Sequence, residues 1–146
     1  LYYVNREQIE KRLLSLPQTI EAMRLVAAQW EGTLLQGLAQ ERALHLALEA
    51  VTDIGSYLID GFIMRDAGSY EDIIEIIHGE KVIDDELRML MLRLVRLRRP
   101  LVQDYYEWDR TALHPLTMEL PAALERFADR VNRYLLSELG EESRPH

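Results

Sequence analysis

The run Arg98-Arg99-Pro100-Leu101-Val102-Gln103-Asp104-Tyr105 sets a permanent cation, an amide and a phenol within one short segment. Arg98 also falls on a line of residues that otherwise favour burial: Leu87, Met91, Leu94, Arg98, Leu101, Tyr105 and Trp108. The steps alternate four and three, the spacing of one helix face. Burying an unpaired charge costs several kcal/mol or more, so a cation on that face implies something that compensates it. Arg98 and Tyr105 share the face about 10 Å apart, whereas Gln103 points roughly 140° away on an ideal helix. Arg96, Arg99 and Gln103 form that second face. A bend at Pro100 would help Arg98 and Gln103 converge on one atom, and a two-fold dimer laying two such helices together would help more. The plainer alternative is that Arg98 simply reaches out to the surface along its aliphatic stem.

Two other constellations carry less. Arg42, His45, Glu49, Asp53, Ser56 and Asp60 lie within roughly 40° of one line at 100° per residue. This is either a solvated face or the wall of a cleft in which Glu49 or Asp53 pairs with an arginine of the Arg98 helix. Glu75-Ile-Ile-His78 has the Glu-x-x-His spacing of di-iron bundles, but those need a second copy and two more glutamates, so a solvated helix end is the better reading and no metal or cofactor is expected. There is no glycine-rich phosphate loop, and the histidines at 45, 78, 114 and 146 are too scattered for a nucleophilic triad to be argued.

These residues need helices to position them. Leu, Ala, Glu and Arg dominate, Gly and Pro are few, and no strand pattern, internal repeat or linker is found, which predicts an all-α chain. At 146 residues and 48% hydrophobic content it is long enough for one domain with a core, 1–146, and hardly for two. The absence of cysteine removes disulfides, thiolate nucleophiles and Cys-based zinc sites. No apolar run approaches the ~18 residues of a membrane span and no signal peptide is read ahead of the first helix, so a cytoplasmic protein with no membrane contact is expected. The net charge of −8 argues against non-specific DNA coating, yet Arg88, Arg93, Arg96, Arg98 and Arg99 crowd one segment and leave a local basic site.

Asn5 with Gln8 predicts a capped first helix carrying Ile9, Leu13, Leu16, Ile20 and Met23, with a kink or a short break at Pro17, and ended by Gly32. A second helix is expected from about Leu34 to Met64, with Leu44, Leu48, Val51, Ile54, Leu58 and Phe62 inward. In it, Gly55 and Gly61 either admit a close neighbour or merely weaken the helix. Ser69 caps a short third helix that Gly79 stops. Asp84 caps a fourth that runs to about Trp108 with a bend at Pro100, and Asp109 caps a fifth that Pro115 and Pro121 split or bend. Residues from Glu141 on are expected to fray. The architecture expected is an up-and-down bundle of four to five helices with short connections.

The segment from Arg98 to Tyr105 resembles the R-x-x-x-x-H-x-Y signature of HepT-like proteins, often RNxLVHxY, within the HEPN superfamily. YYVNREQIEKRL, ERALHLALEAVTDIGSYLIDGFIMRD and GSYEDIIEII extend the resemblance over nearly the whole chain. It implies a homodimeric helical bundle whose paired motifs meet in a cleft between protomers. The function it implies is a metal-independent toxin ribonuclease, silenced when an MntA-like nucleotidyltransferase attaches AMP to the motif tyrosine. By the resemblance, Arg98 would stabilise phosphate and transition-state charge, Gln103 and Tyr105 would complete the catalytic set and Tyr105 would be the modified residue; from the residues' own placement, Arg96, Arg99, Glu49 and Asp53 are the candidates to contact substrate. Gln103 stands where the family has histidine. Glutamine can hydrogen-bond a phosphate or a ribose 2′-OH but cannot shuttle a proton near neutral pH. Arg99 replaces the usual asparagine, which keeps the cleft basic. Three readings follow: a ribonuclease, a dimeric bundle that binds nucleotide, RNA or a nucleotidyltransferase without turnover, and a purely structural dimer in which Arg98 ties to Glu49 or Asp53.

Overall fold

A computed structural model describes residues 2–140. They form five α-helices: α1 (Arg6–Gln29), α2 (Leu34–Gly61), α3 (Tyr70–Gly79), α4 (Asp85–Val95) and α5 (Pro115–Leu139). A π-helical turn over Arg99–Gln103 and a 3₁₀ turn over Tyr105–Glu107 lie between α4 and α5. The fraying expected from Glu141 on lies outside the described residues.

The helix starts are local chemistry. Asn5, Ser69 and Asp84 each accept the backbone N–H three residues on, at Gln8, Asp72 and Leu87. Thr33 and Gln36 close a reciprocal capping box at the start of α2. α1 ends at Gln29, and Gly32 takes a positive φ of 72° in the short turn that follows. α1 runs through Pro17 as one helix, so the short break is not made there. Pro17 is exposed, so the carbonyl it deprives of a partner can face water.

α2 is the spine and packs against every other helix. Its inward stripe of Leu44, Leu48, Val51, Ile54 and Leu58 is fully buried, and the core continues through Ile9, Met23, Ile74, Ile77, Leu87, Met91, Leu124 and Phe127. Both α2 glycines admit a neighbour. A Cβ on Gly55 would sit 2.4 Å from Ile73 Cγ2 of α3, and one on Gly61 would sit 3.0 Å from Val4 Cα.

Two expectations about the second half are corrected. α4 stops at Val95 rather than continuing to Trp108. Pro100 has no N–H to give Arg96, and its ring disfavours helical geometry in the residue before it. The chain first tightens, with Leu97 N–H donating to Leu94 O, and then widens, with Asp104 N–H donating to Arg99 O. The fifth helix starts at Pro115 and is capped by His114, not Asp109. Proline suits the first helical position, where its N–H would be unpaired anyway. Asp109 instead folds onto Thr111, accepting from its N–H and its hydroxyl. α5 then runs unbroken through Pro121.

Candidate functional site

The stripe read along 87–108 splits at the end of α4. Leu87, Met91, Leu94 and Leu101 are buried, Arg98 and Trp108 are half-buried, and Tyr105 is 57% exposed. Arg98 therefore sits at the edge of the core, as the last side chain before the π-turn. Its guanidinium carbon lies 4.2 Å from the centre of the Tyr70 ring, the first residue of α3. Its Nε is buried with no hydrogen-bond partner.

The neighbouring cations are compensated. Arg88 donates to both oxygens of Glu75 at 2.8 and 3.1 Å. Arg93 does the same to Glu119 at 3.0 and 2.7 Å. Arg96 reaches Glu71 at 3.3 Å, and Arg99 reaches Asp104 at 3.3 Å. Among the described residues, no carboxylate pairs with Arg98. The result is a half-buried guanidinium that lies on an aromatic face and has no acid of its own among the described residues, so it is chemically able to pair with an anion.

Gln103 is exposed at the end of the π-turn. A turn closed by an i→i+5 bond rotates less per residue than an α-turn, so it narrows the angle between Gln103 and Arg98 expected of an ideal helix. Tyr105 and Tyr106 are both open, at 57% and 69% exposure, and meet edge to face at 5.7 Å. Exposure thus does not choose between them. Tyr105 is the more fixed in its backbone, because its carbonyl accepts from Arg110 at 3.3 Å. Arg110 in turn lies 2.7 Å from Glu41 of α2.

Glu49 and Asp53 are placed elsewhere. The partner of Asp53 is Arg12 of α1 at 3.1 Å, and Glu49 lies 3.3 Å from His45; neither meets an arginine of segment 96–99, as the cleft reading required. The reason is the α1–α2 packing, which turns this face toward α1. With Arg12 and Arg42 they line a groove of about 570 Å³ between the two helices. Glu75 and His78 are also engaged structurally, with Arg88 and, at 2.6 Å, with Asp85.

Sequence reasoning did not single out three residues that shape the site. Tyr70 was visible only as part of GSYED, and no local rule says what its ring will cover. Glu71 lies in the first turn of α3, where an acid suits the helix start, and it also holds Arg96. Gln40, fully buried, donates to Ala112 O and accepts from His114 N–H and Thr117 Oγ1 at 3.0, 2.8 and 2.7 Å, fixing the connection after the tyrosines. Its place four residues before Leu44, on the inward line of α2, was the available signal. His114 is held below its ordinary pKa by burial and then by Arg93, which favours the neutral ring, with Nδ1 accepting from Leu116 N–H.

Comparison with known proteins decides the family. A sequence model described as "Ribonuclease HepT-like" matches residues 9–131. The chain belongs to the HepT-like family. A Bacillus subtilis (strain 168) protein named "Putative RNase YutE" is 37% identical over 140 residues, covering 96% of each chain. The solved structure of YutE, described as a cytosolic protein, superposes on this HepT-like chain with a TM-score of 0.84 at 35% identity, again over 96% of each. A tri-AMPylated Shewanella oneidensis HEPN toxin, solved in complex with an MNT antitoxin, gives a TM-score of 0.74 at 18% identity, covering 86% of this chain and 96% of its own. A toxin–antitoxin solved with AMP-PNP gives 0.72 at 17%, covering 84% and 96%. The last two share the fold. The all-α up-and-down bundle is that of HEPN toxins, and no helix among the described residues is long and apolar enough to cross a membrane.

Proposed function

We propose that this HepT-like protein is a cytoplasmic RNA-binding ribonuclease of low turnover whose site is built on Arg98 in a cleft between two copies of the chain. The observation that carries the reading is the Arg98 guanidinium, held on Tyr70 with its Nε unpartnered while each flanking arginine has its acid. Arg98 takes a phosphate oxygen of the RNA and stabilises the charge that builds on it as the ribose 2′-oxygen attacks phosphorus and the P–O5′ bond breaks, leaving a 2′,3′-cyclic phosphate and a 5′-hydroxyl end that takes its proton from water. Gln103, carried on the π-turn, hydrogen-bonds the 2′-OH. It cannot remove that proton, which passes to water instead. General acid–base catalysis contributes about 10²–10⁴-fold, so cleavage is slower by that order than with histidine. A second copy supplies the facing motif. Arg96 and Arg99, both exposed, flank this site, but each already meets an acid, Glu71 and Asp104, so Arg98 is the cation left for the phosphate. Glu49 and Asp53, in the α1–α2 groove, lie outside this proposed site.

Tyr105 is the proposed acceptor of AMP from a nucleotidyltransferase partner. Its exposure and its place seven residues after Arg98 support this, together with the shared fold of the AMPylated HEPN toxin. The absence of histidine at 103 favours a second reading, a bundle that binds RNA or the partner without turnover.

A ribonuclease assay on wild type, Arg98→Ala and Gln103→His tests the proposal. The expected order is slow cleavage by wild type, none by Arg98→Ala and faster cleavage by Gln103→His. RNA binding by wild type with no cleavage selects the second reading. Equal cleavage with and without Arg98 refutes the role of that residue.

A further inference from the structure

We propose that Tyr70 is the positioning residue for Arg98. Its ring holds the guanidinium at the cleft edge and leaves the terminal nitrogens free for an oxyanion. This rests on the reading of Arg98 as the anion-binding group and names what keeps it ready.

A cationic side chain with several rotatable bonds ordinarily loses freedom when it binds an anion, and that loss weakens binding. A carboxylate partner would fix it but would also neutralise it. An aromatic face fixes it without supplying an acceptor, because the ring attracts the cation through its quadrupole and leaves the N–H edges unfilled. Arg98 meets that case: the ring centre is 4.2 Å away, Nε is buried without a partner, and no acid of the described residues pairs with it.

The platform itself is rigid. Ser69 caps α3 directly before Tyr70. Two residues after Tyr70, Asp72 accepts from both terminal nitrogens of Arg65 at 2.6 Å and from Gly68 N–H at 2.9 Å. Ile73 seats α3 against Gly55 of α2. Glu71, the residue next to Tyr70, draws Arg96 away at 3.3 Å, so the start of α3 sorts the two arginines: one is neutralised by a carboxylate, the other is held by a ring.

The test measures affinity for a short fluorescein-labelled single-stranded RNA in wild type, Tyr70→Phe, Tyr70→Leu, Arg98→Ala and the Tyr70→Leu/Arg98→Ala double variant. Tyr70 is 43% exposed, so leucine leaves no core cavity, and circular-dichroism melts verify each fold. Tyr70→Phe is expected to bind like wild type. Tyr70→Leu is expected to bind roughly three- to thirtyfold more weakly and to cause no further loss once Arg98 is absent. In ¹⁵N spectra the Arg98 Nε–H resonance is expected to carry a ring-current shift in wild type and Tyr70→Phe that Tyr70→Leu abolishes. Wild-type affinity in Tyr70→Leu beside a weakened Arg98→Ala overturns the positioning role and leaves Arg98 in place. A further loss in the double variant overturns it too, since Tyr70 would then touch RNA itself. Wild-type affinity in Arg98→Ala overturns the reading of the site, and the Nε–H shift still reports whether the ring holds the guanidinium.

Discussion

Gly37→Ala separates helix propensity from tertiary packing in this bundle. Gly37 is buried in the second turn of α2, where alanine would by propensity alone stabilise the helix by about 1 kcal/mol. A Cβ there would sit 2.1 Å from the carbonyl oxygen of Arg110 and 2.8 Å from its Cβ. Restoring ordinary contact at ~3.5 Å requires the 110–114 connection to retreat by more than about 1 Å. That connection is anchored. Arg110 lies 2.7 Å from Glu41, and Ala112 and His114 bond to Gln40, which is fully buried. Retreat leaves polar groups of Gln40 unpaired at about 1–3 kcal/mol each, and resisting it strains the packing by a similar amount. The net expectation is a loss of roughly 2 kcal/mol in urea unfolding, with an unchanged slope. Gly79→Ala is the control, because nothing lies within 4 Å of its Cβ and its φ is not positive; its stability should stay within about 0.5 kcal/mol of wild type. Gly37→Ala as stable as wild type, or Gly79→Ala equally damaged, would refute the packing argument.

Two titrations give further checks. The Arg65 guanidinium and the Gly68 N–H lower the Asp72 carboxyl from 3.8 to about 2. A depressed acid contributes stability above its unfolded pKa that disappears as pH falls through the folded value. Asp72→Asn should therefore flatten the acid limb of thermal melts between about pH 4 and 2; an unchanged limb would count against the contact. His114 is likewise depressed, by burial first, so its contribution is complete above its ordinary value of 6.5 and is lost as pH falls below it. His114→Asn keeps a cap acceptor and should lose that pH dependence, whereas His114→Ala should cost about 1 kcal/mol at pH 7. Melts at pH 7 and 5 on the three proteins distinguish a cap from a bystander.

Much of the candidate site was legible only as composition. Arg98, Gln103 and Tyr105 stood out because a cation interrupts an apolar face and because the family resemblance, carried by segments along nearly the whole chain, includes that run. Their supports did not stand out. Pro100 announces a missing hydrogen bond, but not whether the helix bends, ends or widens. The chain ended α4 at Val95 and made a π-turn, because Leu101 could stay buried while Gln103 and Asp104 went to water. Asp109 was the cap read from the sequence, and the choice of His114 fell to Gln40, whose carbonyl takes the His114 N–H from across the core.

What the sequence alone determined are the properties that span three or four residues: the caps at Asn5, Ser69 and Asp84, and the inward stripe of α2. These depend on hydrogen bonds and periodicity within one turn, which the chain carries wherever it lies. The tertiary structure decided which side chain each charge meets. Asp53 found Arg12, Arg96 found Glu71, and Arg98 found the ring of Tyr70. Those pairings join residues distant in sequence. They follow from how α1, α3 and α4 rotate about α2 to bury their apolar faces, and no local rule records that rotation.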